Sequence, residues 1–192
     1  MALPETRIAT HEAAALMVLT AATAGLRVSE VLGLQPRDVE RENCTLQVQR
    51  RWHRGSEAPP KTRSSRRVRK IRGLAEILLD FARGKADNEY IFGRADRDGR
   101  PPDDRDLQQH VFRPAAEAVK IYHPGFGMHV FRRLNITWRQ HAGASPFEAQ
   151  KAAGHARPST TWMYTITDDE REEQHVDWIW ERIGGEPSAG IH

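Results

Sequence analysis

The sequence predicts an α+β domain, mainly α with a small antiparallel β-sheet. Three observations carry that reading. Apolar residues recur at helical spacing over most of the 192 residues. Strand-like alternation is confined to one region, with Leu46 and Val48 set against Gln47 and Gln49. Caps and breakers such as Thr10, Gly25, Ser145 and Gly154 divide the rest into short helices.

From the N-terminus, Thr10 can cap a buried helix over residues 10–22, and Gly25 ends it. A second helix carries Leu26 through Leu34 and stops near Gly33 and Pro36. Residues 44–53 read as one strand, Pro59-Pro60 as a turn, and Ser65 to Ile71 as a second strand. Residues 44–72 therefore form one small antiparallel sheet. Helices return at Leu74–Arg83 and, after a polar loop at 93–104, at Arg105–Lys120, where Pro114 predicts a kink. His123-Pro124-Gly125 breaks the chain before a helix over 128–141, with Phe131, Leu134 and Trp138 as its buried face. Ser145-Pro146-Phe147-Glu148 is a capping box with proline at the first helical position, and that helix ends at Gly154. Pro158-Ser159 begins a short helix toward Tyr164. A last helix over 169–183 shows an apolar stripe of Val176, Ile179, Trp180 and Ile183, closed by Gly184-Gly185.

The length suits one domain with a real core, over residues 1–192. The one cysteine, Cys44, excludes an internal disulfide and fits a reducing compartment. The apolar stretch from Ala13 to Ala24 is too short to span a bilayer, which takes roughly 20 residues. The first residues lack the basic-then-apolar order of a signal peptide. These features predict a cytoplasmic protein with no membrane association.

A net charge of +3 hides a local concentration. Between Arg50 and Arg72 lie Arg50, Arg51, Arg54, Lys61, Arg63, Arg66, Arg67, Arg69, Lys70 and Arg72, against the single acid Glu57. Such clustering suits neutralisation of nucleic-acid phosphates, with Arg50, Arg51, Arg54, Arg63, Arg66, Arg67 and Arg69 as candidate DNA contacts. The structural alternative is an edge strand kept basic against aggregation.

Four further segments hold residues with chemical potential. In Gly25-Leu26-Arg27-Val28-Ser29-Glu30, Arg27 and Glu30 share a helical face; by itself that is a surface ion pair worth about 0–1 kcal/mol. In Lys61-Thr62-Arg63-Ser64-Ser65-Arg66, Lys61 falls at a hairpin turn and by itself is one more phosphate contact. His129 and Arg132 share another helical face, where a histidine near a helix start is usually structural. Gly154-His155 exposes a histidine nine positions before Tyr164, and a tyrosine there is ordinarily core filler.

Taken together and in this order, the four segments resemble the tyrosine recombinase (phage integrase) signature. They are similar to its G-L-R-x-S-E, K-T-x-x-S-x-R, H-x-x-R and G-H-then-tyrosine motifs, over roughly residues 10–170. Arg133 stands where the family often has histidine, and Lys151-Ala152-Ala153 replaces a run often begun by leucine. The resemblance implies the family's catalytic-domain fold. It implies catalytic Arg27, Lys61, His129, Arg132, His155 and Tyr164, with Glu30 as a supporting acid. It implies double-stranded DNA as partner, a homotetramer on DNA and a monomer without it, and no metal or other cofactor. It also implies that the family's N-terminal DNA-binding domain is absent from this chain, and that the helix after Tyr164 docks on a neighbouring protomer when DNA assembles a tetramer, with packing on its own domain as the alternative.

The chemistry explains the residue types. A phosphodiester is anionic, and in-line attack concentrates charge on its non-bridging oxygens. Arginine forks match those oxygens and stay charged. Tyrosine, with a pKa near 10, needs nearby cations and a base to become a nucleophile. Three rivals remain at this stage. A metal nuclease would need a tight ligand set, which the scattered His123, His129, His141 and His155 do not make. A DNA-binding module could use residues 146–164 as a helix-turn-helix, but leaves Arg27, Lys61 and Tyr164 without a joint role. A type IB topoisomerase-like relative would nick and reseal.

Overall fold

The structure is a computed structural model that describes residues 9–60, 66–69, 71 and 73–153. Helix α1 (His11–Ala24) begins where Thr10 Oγ1 accepts from the Ala13 N–H at 3.2 Å. It ends at Gly25, whose φ of 68° turns its N–H back to Ala21 O. That left-handed conformation costs a residue with a Cβ about 1–2 kcal/mol.

Helix α2 (Val28–Leu32) is shorter than expected at both ends. Arg27 is extended at the N-cap position, and Glu30 reaches back to accept from its backbone N–H and its guanidinium, so the pair spans the helix start rather than sharing one helical face.

The basic region makes two sheets where one was expected. Strands β1 (Val39–Glu40), β2 (Thr45–Val48) and β5 (Arg66–Arg69) form an antiparallel sheet in the order β1-β2-β5, with Leu46 opposite Val39 on one side and Val68 on the other. Strands β3 (Arg51–His53) and β4 (Ser56–Ala58) form a separate hairpin, turned by Arg54 and Gly55 with φ of 52° and 75°. The chain leaves the first sheet at Gln49 and Arg50, whose side chains both reach Asp38. Burial of that polar contact interrupts the strand that alternation alone predicts to continue.

Helix α3 (Gly73–Phe81) packs against α1 and β1. Residues 104–118 run as α4 (Asp104–Leu107), a π-helical segment (Gln108–Phe112) and α5 (Arg113–Ala118). Pro114 thus produces a widened turn just before it, which relieves the clash between its ring and the preceding turn. Helix α6 (His129–His141) lies against α1, and α7 (Pro146–Ala153) lies against α6. The capping box holds as expected: Ser145 N donates to Glu148 Oε2 at 2.8 Å, and Glu148 N to Ser145 Oγ at 3.3 Å.

The main core joins Met17, Leu26, Leu32, Leu46, Leu78 and Leu107, all buried. A smaller cluster of Ile136, Ala149 and Ala153 joins α6 to α7. The buried face of α6 corrects the sequence expectation. It consists of Arg132, Asn135, Ile136 and Gln140, while Trp138 is 55% exposed and Phe131 and Leu134 are half-buried. The reason is its partner surface: α6 meets the carbonyl ends of α1 and α7, where buried acceptors require donors. Among the described residues, no helix is long and apolar enough to cross a membrane.

Candidate active site

Arg27, Glu30 and Arg132 converge where α2 begins beside α6. The Glu30 carboxylate is fully buried. Its Oε2 accepts from the Arg27 backbone N–H at 3.0 Å and its Oε1 from Arg27 Nη1 at 2.8 Å. Arg132 Nη1 lies 3.7 Å from Glu30 Oε2. One carboxylate therefore organises two guanidinium groups and leaves the trio with a net positive charge.

Arg132 also stitches the surrounding turns together. Nη1 donates to Gly25 O at 2.6 Å and Nη2 donates to Ala153 O. Three motif segments are thereby joined at one side chain: the turn before Arg27, the helix bearing His129, and the end of α7 before Gly154. Arg132 is 1% exposed, whereas Arg27 keeps 17% of its side chain open. Arg27 is the more accessible of the two.

His129 opens α6 one turn before Arg132 and faces a cleft of about 770 Å³, lined also by Val28, His53, Arg54, Gln108 and Met128. Partial burial pushes its pKa below the usual 6.5, and the charges of Arg132, Arg27 and Arg133 push the same way against Glu30. His129 is exposed on the cleft, where water weakens both effects and leaves the downward push a small one. The ring is thus favoured in its neutral form, the form that accepts a proton.

The hairpin arginines divide. Arg50, expected to meet DNA, is 8% exposed and its Nη1 is paired with Asp38. Asp38 also accepts from Gln35 N at 2.9 Å and from Gln49 Nε2 at 3.3 Å. Arg50 is therefore an interior residue, a correction that follows from a buried acid the sequence did not mark. Burial pushes the Asp38 carboxyl above its ordinary range, although the Gln35 N–H and the Arg50 charge oppose it. Next to this pair, Tyr90 donates to Glu57 Oε2 at 2.6 Å; burial, then Glu57, pushes the Tyr90 hydroxyl up to about 12. Arg51 Nε donates to Pro59 O at 3.0 Å, fixing the base of the turn. Arg54 is exposed at the hairpin tip and lines the cleft beside His129.

Lys61, Arg63, His155 and Tyr164, the side chains of Arg66, Arg67 and Arg69, and the stripe after Tyr164 lie outside the described residues. Sequence reasoning missed Asp38, Tyr90 and Asn135. Asp38 had one available signal, an acid at the third position of a proline-started turn after Gln35. Among the described residues, no three His, Cys, Asp or Glu side chains gather as a metal-binding group.

The described residues thus form a mainly helical domain that sets a basic hairpin beside two arginines on one buried acid, with a histidine at the adjoining cleft. The chain belongs to the phage integrase family, the tyrosine recombinases, whose family profile matches residues 1–171. No curated protein sequence matches the chain. Among solved structures it is similar to the Tn1549 transposon integrase in complex with transposon right end DNA, at 20% identity and a TM-score of 0.67, over 90% of this chain and 58% of that one. It is also similar to XerA recombinase, at 19% identity and a TM-score of 0.63, over 92% of this chain and 58% of that one. A third likeness is to XerH site-specific recombinase bound to its difH substrate, at 21% identity and a TM-score of 0.63, over 88% of this chain and 47% of that one. At these identities the likeness is one of fold. The chain spans little more than half the length of the first two structures and about half of the third.

Proposed function

We propose that this chain is the catalytic domain of a site-specific DNA recombinase or integrase that cleaves and rejoins strands through a 3′-phosphotyrosine. The observation that carries the reading is the joining of Arg27 and Arg132 on the buried Glu30, at 2.8 and 3.7 Å, beside His129. Preorganised positive charge of this kind stabilises the negative charge that develops on non-bridging oxygens in the transition state. In this reading Tyr164 Oη attacks phosphorus and the bond to the 5′-oxygen breaks. His129 takes the phenol proton, Lys61 protonates the leaving 5′-oxygen, and His155 adds a hydrogen bond to the phosphoryl group. The phosphodiester bond energy is kept in the covalent link, so a 5′-hydroxyl of another strand reverses the step without a metal or nucleotide cofactor. Double-stranded DNA is the partner, the protein is monomeric without it and tetrameric on it, and it works in the cytoplasm.

The test uses nicked suicide duplexes of randomised sequence, which lose the short cleaved strand and trap the adduct. The wild-type chain yields a covalent protein–DNA band, and Tyr164→Phe abolishes it while DNA binding persists. An undiminished band in that variant moves the nucleophile elsewhere. No band from a wild-type chain that binds DNA supports the DNA-binding-module reading instead, and nicking with resealing of supercoiled DNA alone supports the topoisomerase-like one.

A further inference from the structure

Helix α1 ends beside the candidate active site, and the last carbonyls of any helix lack partners within the helix. At this end Ala21 O accepts from Gly25 N at 3.0 Å. The next two acceptors, Ala22 O and Thr23 O, are not satisfied by their own segment or by a surface side chain. Both accept from Asn135 Nδ2 on α6, at 2.8 Å each. Gly25 O accepts from Arg132 Nη1, one turn earlier on the same helix. Side chains of α6 thus hold the turn that delivers Leu26 and Arg27.

The chemistry leaves no alternative orientation for the Asn135 amide. Carbonyl oxygens only accept, so the NH2 group must face Ala22 and Thr23. On the other side, Arg139 Nε donates to Asn135 Oδ1 at 2.9 Å, and a guanidinium only donates. Asn135 is 5% exposed and both ends of its amide are occupied. Aspartate would set a carboxylate against two carbonyl oxygens, and leucine would leave both carbonyls buried without a donor. Gly25 completes the fit. A Cβ there would come within 2.7 Å of Asn135 Oδ1, so the turn and the amide can approach this closely only with glycine in place.

We infer that Asn135, oriented by Arg139 and seated on Gly25, is a positioning residue that sets the spacing between Arg27 and Arg132. Arg27 follows the held turn by two residues, and Arg132 lies one turn from Asn135 on α6. This latch holds the backbone ahead of Arg27, while the Glu30 carboxylate holds the Arg27 N–H and lies against both guanidinium groups. The inference rests on the proposal that these arginines stabilise charge on the scissile phosphate.

The test compares single-turnover cleavage of two suicide duplexes of the sequence that wild type cleaves. One carries the natural scissile phosphate. In the other a methylphosphonate replaces one charged non-bridging oxygen with a methyl group, which removes the need for part of the arginine charge. A displacement of about 1 Å near a reacting centre costs about 10²-fold, so Asn135→Leu is expected to slow cleavage of the natural substrate by about 10- to 100-fold, with DNA affinity little changed. On methylphosphonate the loss shrinks to a few-fold. Arg139→Met, which frees the amide to turn but keeps Asn135, shows the same phosphate-specific loss at smaller size. It also serves as the folded variant if Asn135→Leu fails to fold.

Equal losses on both substrates, or unimpaired cleavage by the folded variants, would overturn the positioning role. Arg27→Ala on the same pair separates this from the parent reading. If it loses activity only on natural phosphate while Asn135→Leu and Arg139→Met do not, the latch alone falls. If Arg27→Ala shows no phosphate-specific loss, the two-arginine reading falls and takes the latch with it.

Discussion

Arg50 is where the structure departs most from a charge-based reading, and its replacement has a calculable outcome. In Arg50→Met the Asp38 carboxylate, 1% exposed, keeps only Gln35 N and Gln49 Nε2 as described donors. An uncompensated buried charge costs about 3–5 kcal/mol. For a chain of this length that lowers the melting temperature by roughly 10 °C or somewhat more. Burial raises the Asp38 carboxyl against the pull of the Gln35 N–H and Arg50, so the buried charge carries a desolvation cost. Replacing both partners, Asp38→Leu with Arg50→Met, should therefore recover only part of the loss, because the apolar pair removes the buried charge but leaves the buried Gln35 N–H without its acceptor, at a cost of about 1–3 kcal/mol. Urea unfolding of the two single variants and the double variant measures all three energies, and salt titration of DNA binding completes the set. Arg50→Met should leave the salt slope unchanged. If stability instead shifts by less than about 0.5 kcal/mol and the slope falls by about 0.9, Arg50 is a phosphate contact and the buried-pair argument is wrong.

Arg54→Ala should do the reverse: stability within about 0.5 kcal/mol of wild type, and a salt slope shallower by about 0.9. Gly25→Ala adds about 1–2 kcal/mol for the left-handed backbone to the displacement of the Asn135 amide, for a total of about 2–4 kcal/mol by urea unfolding. The cost should be smaller in an Asn135→Ala background, where the Cβ meets no amide; equal costs in both backgrounds would remove the steric part. His129 titrates below 6.5 when folded, so between 6.5 and its folded value the unfolded chain binds more protons. Its contribution to stability is then complete above 6.5, is lost as pH falls through that window, and levels off below. Thermal unfolding of His129→Gln across pH 7 to 5 should show a flatter profile than wild type, and parallel profiles would mean that the imidazole is not perturbed.

Much of the architecture was legible because local signals act over one or two turns of chain. Thr10, Gly25, the Ser145–Glu148 box and the helical spacing of 128–141 act within their own segments, and each element stands where these placed it. The α+β class and the family followed from sequence alone, since motif order survives when the distances between motifs are unknown. What tertiary structure decided are the contacts of buried polar groups. Alternation cannot show that Arg50 turns inward, because its partner Asp38 is a separate turn of chain. Nor does periodicity show that α6 buries Arg132, Asn135 and Gln140 while leaving Trp138 outside. A helix face is apolar only where its neighbour is apolar, and α6 meets the carbonyl ends of α1 and α7. The sequence alone determined which ionisable groups the chain has to offer a site and in what order. Only the folded chain, by requiring a donor for each buried carbonyl and a counter-charge for each buried ion, decided which arginines face the cleft and which hold the protein together.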